Sequence, residues 1–165
     1  MNADDPADFL LIPFTTELIP FLGVLEEAVG LPFWGIDSYQ RFLEDFSEYF
    51  GFCLIQEHTR SHLTGFSLAR AAFEDFELLK IGVAPEFQHI RLGTRLLEKT
   101  FLEAKRRGCT RCFLEVRKSN LKAIRFYFAN GFRATGERIN YYSNPVEDAW
   151  LMEQQFFRNE ITKGI

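Results

Sequence analysis

Residues 81–98 join an apolar strand to an amphipathic helix through a short polar loop, and no other segment constrains the fold as strongly. The first N–H groups of a helix have no partner within it, and the helix dipole places partial positive charge at the same end. A diphosphate can bind against such groups. Gly93, just before the expected helix, lets the chain approach the ligand closely because glycine has no Cβ. The segment therefore predicts an anion-binding site between a strand and a helix.

Length and composition predict one domain, covering residues 1–165. Of the 165 residues, 47% are hydrophobic and 19 are Phe, which is ample material for a single core. No apolar run approaches the roughly 18 residues of a membrane-spanning helix, so no membrane partner is expected. Asp4, Asp5 and Asp8 lie where a secretory or organellar signal carries positive charge, which favours a cytoplasmic location. Three cysteines cannot all pair with one another, which fits a reducing compartment.

Charge is distributed unevenly along the chain, although the net charge is only -4. Residues 1–57 carry one basic and eleven acidic residues, whereas residues 58–165 carry 18 basic and 12 acidic ones. Within the second part, residues 88–125 carry eleven basic and three acidic residues. One interpretation is a set of solvated helix faces. The other is a polyphosphate ligand at the C-terminal half and a cationic substrate at the acidic half. The acidic overall balance argues against a nucleic-acid partner.

Hydrophobic periodicity predicts alternating strands and helices without an internal repeat. The predicted strands cover residues 9–12, 49–56, 63–73, 76–83, 111–117, 132–142 and 147–157. The predicted helices cover residues 16–29, 37–46, 94–107 and 120–130. Gly108 and Gly131 stand where glycine commonly ends a helix. Residues 158–165 are expected to form a loose tail.

The strand at 111–117 carries a candidate base. Strand alternation places Glu115 on the face opposite Cys112, Leu114 and Val116. Desolvation inside an apolar strand should raise the pKa of this carboxyl and make it a better proton acceptor near neutral pH. The alternative is a structural ion pair between this carboxylate and a neighbouring arginine.

The helix at 120–130 carries a candidate acid. Asn120, Ala123 or Ile124, and Tyr127 fall on one side of this helix, so an amide and a phenol can line a single groove. A tyrosine in an aromatic helix is also a common core residue, and its hydroxyl needs a polar partner if it is buried.

Three further segments share their residues with one known superfamily. They are Leu114-Glu115-Val116-Arg117-Lys118-Ser119-Asn120, then Ala123-Ile124-Arg125-Phe126-Tyr127 with Gly131-Phe132, and Arg138-Ile139-Asn140-Tyr141-Tyr142 with Glu147-Asp148-Ala149-Trp150-Leu151-Met152. Over residues 77–152 the chain resembles the GNAT superfamily of acetyl-CoA-dependent N-acetyltransferases. The last segment resembles more narrowly the RimI branch, the ribosomal-protein-alanine N-acetyltransferases, and their archaeal and eukaryotic relatives. The resemblance implies an α/β (α+β) GNAT fold, with a central, mostly antiparallel mixed sheet of about seven strands flanked by about four helices.

The same resemblance implies a role for individual residues. Glu115 would accept the amine proton, directly or through water, and Tyr127 would protonate the sulfur of coenzyme A. The residues that would pair with the pantetheine arm are Ile81, Gly82 and Val83. Those that would wrap the pyrophosphate or bond the cofactor are Gln88, His89, Ile90, Arg91, Leu92, Gly93, Thr94 and Asn120. Those that would contact the acceptor are Trp34, Tyr141 and Tyr142, with cross-strand packing as the alternative for the two tyrosines.

Two positions depart from the family pattern. Arg91 stands at the position where the family pattern has the first glycine of the phosphate loop. If that position needs a left-handed backbone, arginine costs about 1–2 kcal/mol there. Arg91 could add charge near the phosphates or mark weakened cofactor binding. The second departure is at residues 31–35, where Leu-Pro-Phe-Trp-Gly replaces a Phe-Pro-Trp-Ser element that shapes the acceptor side.

The function that this resemblance implies is acetyl-CoA-dependent acetylation of a protein N-terminal α-amine, with a ribosomal protein as the first candidate acceptor. An α-amine has a pKa of about 8, whereas a lysine side chain has one of about 10.4. The α-amine is therefore easier to deprotonate, and one modest base suffices for it. One alternative is a GNAT enzyme that acetylates a small amine or a lysine side chain. Another is a non-catalytic module that binds acyl-CoA or a partner, although such a module needs neither an acid nor a base.

Two weaker patterns resemble metal sites. Cys109 and Cys112 form a C-x-x-C pattern, but no second pair exists and packing is the favoured interpretation. His58 and His62 have i, i+4 spacing, yet the residues between them favour a turn between strands. No metal is therefore expected, and the oligomeric state is not predicted.

Overall fold

A computed structural model describes residues 8–57 and 63–156, in which seven strands form one sheet. The strands are β1 (Phe9–Pro13), β2 (Tyr49–Gln56), β3 (Leu63–Ala72), β4 (Asp75–Val83), β5 (Arg111–Arg117), β6 (Arg133–Ser143) and β7 (Val146–Gln155). The α-helices are α1 (Ile19–Val29), α2 (Ile36–Glu44), α3 (Leu92–Arg106) and α4 (Leu121–Ala129). Single 3₁₀ turns lie at Thr16–Leu18 and Pro85–Phe87. This arrangement confirms the predicted α/β class with a mixed sheet.

The sheet order is β1-β2-β3-β4-β5-β7-β6, and only the contact between β4 and β5 is parallel. These two strands pair at three positions, of which Glu77 opposite Phe113 is the last. Beyond it, no ladder pair joins β4 to β5 in the described part of the chain. The strands therefore separate and leave a cleft between residues 78–83 and residues 114–117. This cleft between strands is the feature around which the site is built.

Helices cover both faces of the sheet. The buried stripe of α3, which includes Leu92, Leu96 and Ala104, packs on one face together with Tyr127 of α4. On the other face, α1 and α2 bury Leu22 and Phe42 against β2, β3 and β4. The two faces form separate hydrophobic clusters because the central strands carry apolar residues on both sides.

Two helix starts differ from the prediction by more than one residue. The α-helix expected from residue 16 begins at Ile19 after a 3₁₀ turn, and Pro20 lies in its first turn, where a missing N–H is tolerated. The helix expected from residue 94 begins two residues earlier, at Leu92. Gly108 and Gly131 follow α3 and α4 with φ of 90° and 89°, which confirms their role in ending the helices.

Some expectations fall on residues outside the described ranges. The predicted tail at 158–165 and the turn at His58 and His62 both lie there. Within the described ranges, no helix is long and apolar enough to cross a membrane.

Candidate active site

The chain makes a tight corner between the end of β4 and the start of α3. His89 and Arg91 both adopt positive φ, of 70° and 66°. The first backbone bond of the helix runs from Arg95 N to Arg91 O at 3.0 Å. The N–H groups of Leu92, Gly93 and Thr94 precede the i→i−4 ladder and have no carbonyl partner within the helix. The corner thus has the N–H groups and the dipole that an anionic group requires.

Arg91 is the N-cap residue of α3 in a left-handed conformation, with φ 66° and ψ 13°. The condition considered from the sequence, a left-handed backbone at this position, is therefore met. The conformation costs an arginine about 1–2 kcal/mol relative to glycine. Its side chain is exposed at the corner, beside the free N–H groups.

Gly93 has a packing role in addition to the predicted one. A Cβ at this position would lie 3.3 Å from the ring of Phe126, so glycine allows α3 and α4 to approach each other at the corner. The sequence suggested a ligand contact, and the structure adds this contact between helices.

Two polar residues predicted to bind the cofactor already make bonds within the protein. Gln88 Nε2 donates to the carbonyl of Val83 at 2.8 Å, and Gln88 Oε1 accepts a bond from Lys122. Asn120 caps α4, because its Oδ1 accepts from Ala123 N at 3.0 Å. The Gln88 bonds therefore join the corner to β4 and to α4, whereas the Asn120 bond lies within the first turn of α4. The predicted bonds of both side chains to a cofactor stay predictions.

The cleft between the strands exposes one edge of β4 to a ligand. Ile81, Gly82 and Val83 follow the last residue that pairs with β5, so their backbone groups on that edge have no strand partner in the described chain. A Cβ on Gly82 would lie 3.0 Å from Val29 and 3.3 Å from Phe66. Glycine is therefore needed here because the end of α1 packs directly on β4.

Glu115 lies on β5 at the opposite wall of the cleft. Its strand shows the predicted alternation, with Cys112, Leu114 and Val116 buried. The pKa of Glu115 is raised above its ordinary value, first by burial and then by the negative charge of Glu77. The predicted direction of this shift is confirmed.

An arginine opposes this shift from the neighbouring hairpin. Arg138 on β6 brings Nη2 to 3.4 Å from Glu115 Oε1, and its charge favours the ionised carboxylate. The structural ion pair considered from the sequence is thus present as well. Burial and Glu77 outweigh the arginine, whose side chain is 53% exposed and screened by solvent.

Glu77 is a site residue that the sequence analysis missed. It is the last residue of β4 that pairs with β5, and its carboxyl group is within hydrogen-bonding reach of Glu115. Glu77 also pairs with Arg70 of β3, whose Nη2 lies 3.5 Å from Glu77 Oε2. The available signal was the alternation of β4, in which Glu77 lies between the buried Phe76 and Leu78 just as Glu115 lies between apolar neighbours.

Tyr127 of α4 is 8% exposed and belongs to the core cluster beneath the cleft. Its ring packs against Phe126 and Phe132, with centroid distances of 5.5 and 5.4 Å. Burial raises the pKa of Tyr127 further above neutrality, so the phenol carries its proton at physiological pH. The core role weighed from the sequence is therefore real, and it leaves a protonated hydroxyl close to Cys112 and Tyr142.

The two tyrosines of β6 lie near enough to Glu115 for its charge to act on both. Tyr141 is 45% exposed, and the Arg138 guanidinium lies 5.3 Å from its ring centre. The charge of Glu115 contributes to a raised pKa of Tyr141, which places the two side chains close together. Tyr142 is half-buried, and the guanidinium carbon of Arg117 lies 4.1 Å from the centre of its ring.

Trp34 lies in the loop between α1 and α2 and packs against the cluster on that face of the sheet. It stacks on Tyr39 with a centroid distance of 5.6 Å, and Lys80 Nζ lies 4.2 Å above its ring. Its side chain is half-buried by these contacts. Trp34 therefore forms part of a packed wall, whereas Tyr141 presents a more open face.

The cysteines form no metal site in the structure. Cys53, Cys109 and Cys112 are free and buried. No group of three or more potential metal ligands comes together among residues 8–57 and 63–156.

Comparisons with known proteins agree with this fold. The profile of the acetyltransferase (GNAT) family matches residues 20–132. The [ribosomal protein bS18]-alanine N-acetyltransferase of Escherichia coli strain K12 is 33% identical over 141 residues, which are 84% of this chain and 90% of that protein. The crystal structure of the ribosomal-protein-S18-alanine N-acetyltransferase from Escherichia coli has a TM-score of 0.78 at 26% identity and covers 94% of this chain and 99% of that one.

A second solved structure shows the same fold at lower identity. It is a GNAT family acetyltransferase from Elizabethkingia anophelis with acetyl-CoA bound, with a TM-score of 0.71, 19% identity, and coverage of 90% of this chain and 99% of that one. The family match covers more than half of the chain, and the Escherichia coli relative is similar along most of its length. The chain belongs to the GNAT family, in its RimI-like branch, and is an N-acetyltransferase.

Proposed function

We propose that this enzyme transfers the acetyl group of acetyl-CoA to the α-amine of a protein N-terminus, with Glu115 as the base and Tyr127 as the acid. The observation that carries the proposal is the position of Glu115. Its carboxyl, with a raised pKa, lies where β4 and β5 separate and next to the exposed ring of Tyr141. A base at this place can meet an amine that enters the cleft from the acceptor side.

The residues around the corner fit a coenzyme A diphosphate. Leu92, Gly93 and Thr94 offer free N–H groups at the start of α3, and Arg91 adds a cation beside them. The unpaired edge of β4 at Ile81–Val83 offers backbone groups to an extended amide chain such as pantetheine. A related fold with acetyl-CoA bound supports this assignment. Acetyl-CoA would supply the acyl group as a thioester.

Acyl transfer to an amine needs a neutral amine and protonation of the departing thiolate. Glu115 would take the proton of the incoming ammonium, and a carboxyl of raised pKa holds that proton better than an ordinary one. Tyr127 would give its proton to the leaving sulfur and is buried in the protonated form. The proposed base is on β5 and the proposed acid is on α4.

The proposed acceptor is a protein N-terminus, with a ribosomal protein as the first candidate. The Escherichia coli relative is named for alanine of ribosomal protein bS18. Such acceptors are cationic, and residues 1–57 of this chain carry eleven acidic residues against one basic. The cytoplasmic location expected from the sequence stays a prediction.

A turnover assay tests this proposal. Acetyl-CoA consumption is measured with a panel of N-terminal peptides, free amines and polyamines, for the wild type and for Glu115→Gln. We expect turnover with peptides and a loss of about 100-fold or more in kcat for the variant. The matched control is Glu98→Gln, an exposed carboxylate of α3, which should keep wild-type turnover. Turnover only with polyamines would contradict the acceptor, and a fully active Glu115→Gln would contradict the base.

A further inference from the structure

A buried ion pair lies behind the acceptor side of the cleft. Lys80 of β4 is 5% exposed and Glu26 of α1 is fully buried. Lys80 Nζ donates to Glu26 Oε1 and to the carbonyl of Pro32, and it lies 3.1 Å from Tyr39 Oη. The Tyr39 hydroxyl also donates to Glu26 Oε1. The four groups form one connected polar network inside an apolar cluster.

This network holds the loop at residues 30–35, which connects α1 to α2. Gly30 and Gly35, at its two ends, have positive φ of 71° and 86°. Between them, the Pro32 carbonyl is bonded by Lys80, and the Trp34 ring lies beneath the same ammonium group. Lys80 therefore contacts this loop at two points and fixes its position relative to β4.

The loop forms a wall of the acceptor side. Leu31 would lie 3.6 Å from a Cβ on Gly82, so the loop passes over the part of β4 that borders the cleft. Lys80 precedes Ile81 directly, on the same strand. A shift of Pro32 or Trp34 would therefore change the shape of the space that faces Glu115 and Tyr141 from the opposite side.

We propose that Lys80 is a positioning residue for the acceptor: through Glu26, Pro32 and Trp34 it fixes the loop at 30–35 as one wall of the acceptor pocket. This inference rests on the proposed function for the location of that pocket. A buried ion pair is weak evidence for stability, since apolar replacements of similar volume are often neutral, whereas breaking only one partner is harmful. A role in holding the loop in one position explains the buried ion pair better than a contribution to stability does.

The test replaces both charged partners together. The double variant Glu26→Gln/Lys80→Met removes the charges at similar volume, so no lone charge is left buried. We expect KM for the acceptor to rise about tenfold, with KM for acetyl-CoA changed by less than about twofold, since only acceptor binding is affected. The matched control is Lys99→Met, a lysine on the exposed face of α3, which should change neither constant.

A fluorescence readout follows the loop itself. Trp34 and Trp150 are the two tryptophans of the chain, so Trp150→Phe leaves Trp34 as the sole reporter. In that background, we expect the double replacement to shift the emission of Trp34 to longer wavelength as the ring gains solvent. Tyr39→Phe, which removes a single hydroxyl from the network, should give the same changes to a smaller extent and serves if the double variant does not fold.

The outcomes separate this inference from the proposed function. If the wild type acetylates only small amines, the N-terminal acceptor is wrong, and the same comparison of KM values is made with the amine. A lower melting temperature with unchanged acceptor KM and unchanged Trp34 emission would show a merely structural role and overturn the inference. An equal rise in both KM values would overturn it as well.

Discussion

Glu77 and Glu115 lie side by side at the point where β4 and β5 separate, close enough for their carboxyl groups to share a proton. Two neighbouring carboxylates resist ionising together, so the pKa of one of them rises. Arg138, 3.4 Å from Glu115, acts in the opposite direction. Burial raises the pKa of the proposed base most, Glu77 raises it further and Arg138 lowers it.

The first prediction concerns the pH dependence of activity. Glu115 must be ionised to accept a proton, so kcat/KM falls when the pH drops below its pKa. Glu77→Gln removes the charge that raises this pKa, and the acidic limb of the pH profile should move to lower pH. Arg138→Gln should move the limb to higher pH. Limbs that do not move, or that move in the same direction, would refute the contribution of Glu77 and Arg138 to this pKa.

The second prediction concerns the proposed acid. Tyr127→Phe keeps the ring packing against Phe126 and Phe132 but removes the hydroxyl. We expect kcat to fall about 100-fold while the dissociation constant of acetyl-CoA, measured by calorimetry, stays the same. Phe128→Leu, at an exposed position of the same helix, is the control. An unchanged kcat would assign Tyr127 to packing alone.

The third prediction concerns Arg91. Arg91→Asn relieves the strain of the left-handed backbone, because asparagine tolerates this conformation. Thermal unfolding should therefore show that the free energy of unfolding rises by up to about 1 kcal/mol. The same change removes a cation near the proposed phosphate site. Coenzyme A should then bind about two- to fivefold more weakly and with less dependence on salt.

Arg91→Lys separates these two effects. It keeps both the charge and the strained conformation, so we expect stability and coenzyme A affinity close to those of the wild type. If Arg91→Asn binds coenzyme A as tightly as the wild type does, the arginine contributes no charge to the site.

The fourth prediction concerns the tyrosines of β6. Tyr141 is exposed beside Glu115, whereas Tyr142 is held beneath Arg117. Tyr141→Phe should therefore raise peptide KM more than Tyr142→Phe does, with KM for acetyl-CoA unchanged in both. Steady-state kinetics with the best peptide of the panel decide this. No change in either variant would remove both residues from the acceptor site.

Features that depend on local periodicity could be predicted from the sequence. Residues close to one another in the chain determine the buried face of β5 and the body of α3. They also determine where α3 and α4 end, at Gly108 and Gly131. The direction of the pKa shift of Glu115 was predictable for the same reason.

Features that depend on pairing between distant strands could not be predicted in this way. Glu77 and Arg138 reach Glu115 only through the register of β4 with β5 and of β6 with β7. The network of Lys80 and Glu26 joins residues 54 positions apart. Periodicity within one strand or helix carries no information on such partners.

The location of the transferred acetyl group tests the central claim most directly. A peptide with an N-terminal alanine and an internal lysine is incubated with the enzyme and acetyl-CoA, and tandem mass spectrometry locates the added acetyl group. The proposed function predicts acetylation of the α-amine, slowed about 100-fold or more in Glu115→Gln. Acetylation of the lysine instead, or none on the peptide while a small amine is consumed, would contradict it.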